Sequence, residues 1–139
     1  MKNKHLLLII ALLAGTAAIY KYRAASFGPT ILSREDKDRI IESALALELP
    51  IPSNIASSQA MEFSDNATQK VHEGKYEEAI EITVAGLKQF PKDFNLQADL
   101  TSLLGDTSEI TESPLKERMV AKAQQLFDLL LEHADSQPK

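Results

Sequence analysis

Beyond residue 33, apolar residues recur at intervals of three and four, the spacing that gathers side chains on one stripe of an α-helix. Ile40, Ile41, Ala44, Leu45 and Leu47 predict a helix up to Leu49, with Ser33 as its N-cap and Glu35 and Asp36 in the first turn, where the helix dipole favours acids. Pro50 and Pro52 stop it. Ala60, Met61, Phe63, Ala67 and Val71 predict a second helix over 58–72 with a narrow apolar face, interrupted at Glu73-Gly74. A third, over 75–90, carries Tyr76, Ala79, Ile80, Leu87 and Phe90 and ends at Pro91. Leu96, Leu100, Leu103 and Leu104 predict a fourth over 94–104, closed by Gly105-Asp106. After the polar stretch DTSEITES, Ser113 as cap and Pro114 at the first helical position open a long fifth helix to about His133. Nothing alternates at period two for long enough to be a strand. The expectation is an all-α domain of about five helices over 33–135, preceded by an apolar segment and a linker at 26–32, and followed by a tail at 136–139.

The first 25 residues have a different pattern. A basic start (Lys2, Lys4) precedes an apolar run from Leu6 to Tyr20, which Lys21 and Arg23 close. A run of this length spans roughly 22–25 Å as a helix, somewhat less than a hydrocarbon core of about 30 Å. It reads either as a signal peptide removed on export or as a retained membrane anchor through residues 5–22. The small residues Thr16 and Ala18, the natural cleavage positions, fall inside the apolar run, and cleavage after Ala25 would set Arg23 where a small residue is wanted. The anchor is therefore the favoured reading. It places the protein at a membrane with its helical domain outside the cytoplasm; cleavage would instead release a secreted or periplasmic domain.

Charge sharpens the division. The net charge of −5 is made of a leader at +4 with no acid and a remainder at −9. So acidic a body does not neutralise phosphates, which argues against nucleic acid as a partner. The chain has no Cys, which removes disulfides, thiolate metal sites and thiol catalysis. His5, His72 and His133 stand apart from one another, no His/Asp/Glu cluster has metal-ligand spacing, and Glu77, Glu78 and Glu81 read as surface acids of a helix. Asn66-Ala67-Thr68 is a formal glycosylation sequon but falls in mid-helix. The expectation is a protein without catalytic activity, cofactor or metal.

Residues 73–93, EGKYEEAIEITVAGLKQFPKD, combine Gly74, Tyr76, Ala79, Gly86 and Pro91 in one order and spacing. This pattern resembles the second helix of the tetratricopeptide repeat (TPR), with Phe63 and Ala67 at the bulky and small positions of the first helix. Thr83 departs from it, standing where a large aromatic is usual, and Asn66 replaces a usual Leu. A degenerate second copy follows over about 94–133, in which Ala123, Phe127 and Leu130 repeat the small–large–large order. Ala79 and Ala123 lie 44 residues apart against the family's 34, so about ten residues are inserted between. A lone hairpin of this kind cannot bury its apolar face. The helix over 34–49 is expected to cover an end, and the fifth helix to supply further cover.

The resemblance implies a protein-binding groove lined by the first helix of each repeat. Its positions fall on Met61, Ser64, Thr68, Val71 and His72 in the better repeat and on Asn95, Ala98, Ser102 and, at the edge of the set, Asp106 in the degenerate one. No Lys or Arg stands there, so the chaperone-tail carboxylate grip of one TPR subgroup is not implied. An apolar or mixed peptide or helix of a partner protein suits the set better. Two other roles fit the layout: a structural subunit of a membrane complex, or a receptor resembling the mitochondrial presequence receptors, whose glutamine-rich segment is however missing here.

Overall fold

The computed structural model describes residues 31–53 and 57–138. The expected signal or anchor segment and most of the expected linker lie outside the described residues. Among those described, five helices and no strand occur: α1 (Arg34–Leu45), α2 (Ser58–His72), α3 (Tyr76–Gln89), α4 (Phe94–Ser108) and α5 (Leu115–Ser136). None of them is long and apolar enough to cross a membrane.

The helix ends follow local chemistry. Ser57 caps α2 by accepting from the Ala60 N–H, and Asp93 caps α4 by accepting from the Leu96 N–H at 2.9 Å. At the end of α2 the Gly74 N–H donates to Val71 and the Lys75 N–H to Lys70, with Gly74 at φ +75°. This paired closure needs a left-handed residue, which Gly supplies without a Cβ clash. The chain then reverses. Phe63 lies against Gly86 while Lys70 lies 3.2 Å from Glu78, so α2 and α3 run antiparallel.

Three boundaries differ from the sequence expectation. α1 stops at Leu45 rather than Leu49, because the chain before Pro50 opens out and hands two carbonyls to side chains elsewhere. Lys122 donates to the Leu47 carbonyl, and Gln97 Nε2 to that of Pro50 at 2.9 Å. α4 does not close at Gly105 but runs on to Ser108, since Thr107 and Ser108 are buried and continue its packing face. α5 begins at Leu115, not Pro114, and extends to Ser136. Ser113 does not cap it; its hydroxyl donates to Glu117 Oε1.

The core is assembled from α2 on α3, α3 on α4 and α4 on α5, with α2 also meeting α4. Ile80, Leu87, Leu96, Leu100, Leu104, Met119 and Leu126 are fully buried. α1 does not close an end. It packs against α3 and α5 and against neither α2 nor α4. Ile40, Ile41 and Ala44 are its buried face, while Lys37–Glu77 (3.6 Å) and the bidentate Arg118–Glu42 pair tie its exposed edges to α3 and α5.

Candidate protein-binding face

α2 and α4 are in contact, and the residues expected to line a groove fall on these two helices. Met61, Thr68 and His72 are seven and four residues apart on α2, and all three are exposed, Met61 at 55%. Asn95 and Ser102 form a matching exposed pair on α4. Ser64, Val71 and Ala98 are half-buried.

A side-chain hydrogen bond joins the two helices. Ser64 Oγ donates to Asp99 Oδ2 at 2.5 Å. Burial pushes the Asp99 carboxyl above its ordinary value of 3.8; the Ser64 hydroxyl opposes that rise, and the charge of Asp93 adds to it. Asp99 had no sequence signal beyond its place one residue after Ala98 on the expected lining. Asp65, Asp106 and Glu109 are exposed on the same two helices or at the end of α4, while Lys70, the one Lys or Arg on these helices, is paired with Glu73 and Glu78.

The acid–base sign of Asp99 yields a test. Its folded-state value is raised, so the folded chain holds this proton more tightly than the unfolded chain does. That contribution is complete below 3.8 and is lost as pH rises through the raised value. Asp99→Asn keeps an acceptor for Ser64 and removes the titration. The variant should melt above the wild type by a margin that opens as pH rises from acid toward neutral and closes again below 3.8. A margin independent of pH, measured by circular dichroism, would show that Asp99 is not held in this way.

The residues expected to be structural divide. Ala79 and Ala67 are buried between α2 and α3, and the Phe63 ring meets Phe90 at 6.4 Å with a 60° tilt. Gly86 is enclosed between Phe63 of α2 and Leu96 of α4. Tyr76 is half-buried, and exposed Pro91 ends the turn with its carbonyl accepting from Gln97. Thr83, the departure from the usual aromatic, is fully buried and donates to the Ala79 carbonyl at 2.9 Å, so its hydroxyl is satisfied within its own helix.

Two readings are corrected. Phe127 is not a core position: it is 47% exposed, and its neighbour Leu126 is buried, with Met119, Leu126 and His133 forming the inward row of α5 and Ala123 and Leu130 only half-buried beside it. Glu78 is not a surface acid. It is buried beside the Lys70 ammonium, in an orientation that forms an ion pair without a well-aligned hydrogen bond. His133 is likewise buried, its ring 5.5 Å from that of Phe94.

Gln97 carried no sequence signal. It is fully buried, and its two amide hydrogens go to the carbonyls of Pro50 and Pro91. With the Ser53 N–H donating to Lys92 at 2.8 Å, it fastens the segment after α1 onto the α3–α4 turn. That segment thus lies against the α3–α4 turn. No protein-family model, curated protein or solved structure matches this chain.

Proposed function

We propose that the chain is a non-enzymatic, TPR-type interaction module, held at a membrane through residues 5–22, whose α2–α4 face takes a peptide or helix of a partner protein. The observation that supports it most is the position of α1. The helix best able to cover the first helices packs on α3 and α5 instead, which leaves Met61, Thr68, His72, Asn95 and Ser102 exposed together. Such a face offers an apolar contact at Met61 surrounded by hydroxyls, an amide and acids. This suits a segment with apolar anchors and basic flanks. Tethering confines the search for any partner at the same surface and raises its effective concentration.

The test is site-directed photocrosslinking in the full chain. A crosslinker at Met61, Thr68 or Ser102 is expected to trap one protein species, absent when it stands at Glu35 of α1 or Lys88 of α3. Met61→Glu should abolish the adduct formed from Thr68. Equal trapping from all five positions would exclude a face-specific role.

A further inference from the structure

α5 carries an apolar stripe that no element among the described residues covers. Val120, Phe127 and Leu131 are about half exposed, and their spacing of seven and four places them on one line. The 44-residue offset that relates Ala79 to Ala123 maps the same line of α3 onto Tyr76, Thr83 and Leu87. In α3 that line is half to fully buried; α1 and α4 both pack on this helix, and Leu96 of α4 closes on Gly86, next to Leu87 in the chain. The line on α5 is therefore the stacking face of the second hairpin, open where the first hairpin has a helix laid on it.

What covers α4's side of α3 indicates what would cover α5: an amphipathic helix with large aliphatic residues three, four and seven apart, as Leu96, Leu100, Leu103 and Leu104 are in α4. Charge narrows the choice. A row of Glu117, Gln124, Asp128 and Asp135 runs beside the stripe at spacings of seven, four and seven, all exposed. A second copy pairing by two-fold symmetry through α5 would set this acidic row against itself, which like charges disfavour. Head-to-tail stacking fails as well, because the remaining exposed residues of α2 (Ser58, Gln59, Glu62, Asp65, Asn66 and Gln69) offer no apolar complement. We infer that the Val120–Phe127–Leu131 stripe of α5 is a second docking site, for one amphipathic helix of a different protein with an aliphatic face and a basic edge. At 1.5 Å per residue the stripe accepts about three turns of such a helix.

The probe is a synthetic amphipathic helix of about 18 residues, five turns long, with Leu on one face and Lys along one edge, compared with a twin bearing Glu on that edge. Anisotropy titration against the full chain is expected to show saturable binding of the Lys peptide, about tenfold or more tighter than the Glu twin. Asp128→Lys with Asp135→Lys should invert the preference. Phe127→Ser and Leu131→Ser, each folded with a melting temperature lowered by no more than about 4–8 °C since both residues are half exposed, should each weaken the Lys peptide about tenfold. Met61→Glu should leave this binding intact, which separates the site from the α2–α4 face. The inference is overturned if neither peptide binds, if the α5 variants bind as the wild type does, or if sedimentation shows a dimer that Phe127→Ser dissolves.

Discussion

Leu126→Ala is expected to destabilise the helical domain by about 2–5 kcal/mol, and Phe127→Ala by under about 1 kcal/mol, although Phe is the larger side chain. The order follows from position alone. Leu126 is 1% exposed on the inward row of α5, where removing its isobutyl group leaves a cavity between α5 and α4. Phe127 stands on the outward stripe, so truncation forfeits little burial. For a domain whose whole stability is about 5–15 kcal/mol, the first change consumes a large share and the second almost none. At about 4–8 °C per kcal/mol, thermal melts of the two variants should differ by about 4 °C at the least and by more than about 10 °C over most of that range. Comparable losses from both would mean that α5 is rotated about its axis relative to the arrangement described.

That pair also marks where the sequence stops being informative. Gly74, Pro91 and the Pro50-Ile51-Pro52 stretch act through backbone geometry, which is local, so α2 and α3 and the breaks around them were legible from residues alone. The register of α5 was not. Leu126, Phe127, Leu129, Leu130 and Leu131 are apolar in nearly every direction around the helix, so periodicity cannot say which side faces α4. The continuation of α4 through Gly105 was hidden for a related reason: burial of Thr107 and Ser108 outweighs the weak tendency of one Gly to end a helix. The expected lining residues followed from helical spacing. Asp99 and Gln97 did not, because each acquires its role from a partner 35 or 47 residues away.

The placement of α1 belongs to the same class. Its amphipathic pattern was plain, yet nothing in it distinguishes an end cover from a helix laid across α3 and α5. Its ion pairs do not decide the matter energetically: Arg34–Glu112 and Arg118–Glu42 are exposed, so water and salt screen their attraction. Ile40, Ile41 and Ala44 fix it by burial, and the consequence for function is that α1 leaves the exposed residues of α2 and α4 uncovered on their open side.

The second large effect concerns how that open side is kept in shape. Gly86 sits in mid-helix, where replacing Gly by Ala ordinarily stabilises by about 1 kcal/mol. Here an added Cβ would stand 2.9 Å from both Cβ and Cγ of Phe63 and 3.0 Å from a Leu96 methyl. The Leu96 methyl is a flexible end that can turn aside. The Phe63 atoms cannot, because they are bound close to the α2 backbone, so α2 itself must move away from α3. Overpacking of this kind costs about 1–3 kcal/mol and occasionally more. Gly86→Ala should therefore be neutral to destabilising by about 2 kcal/mol, the clash set against the helical gain. Gly86→Val, with two further methyls and no helical gain, should lose about 3 kcal/mol or more. Gly105→Ala is the internal reference: nothing lies within 4 Å of its Cβ position, so it should stabilise by about 0.5–1 kcal/mol. Urea midpoints should thus rank Gly105→Ala above wild type, then Gly86→Ala, then Gly86→Val. Because Ser64 follows Phe63 directly on α2, the same displacement should loosen the Ser64–Asp99 bond and, since that hydroxyl holds the Asp99 value down against burial, move its titration further above the ordinary value. If Gly86→Ala stabilised the chain as much as Gly105→Ala, α2 and α3 would not be in the close approach on which the shape of the α2–α4 face depends.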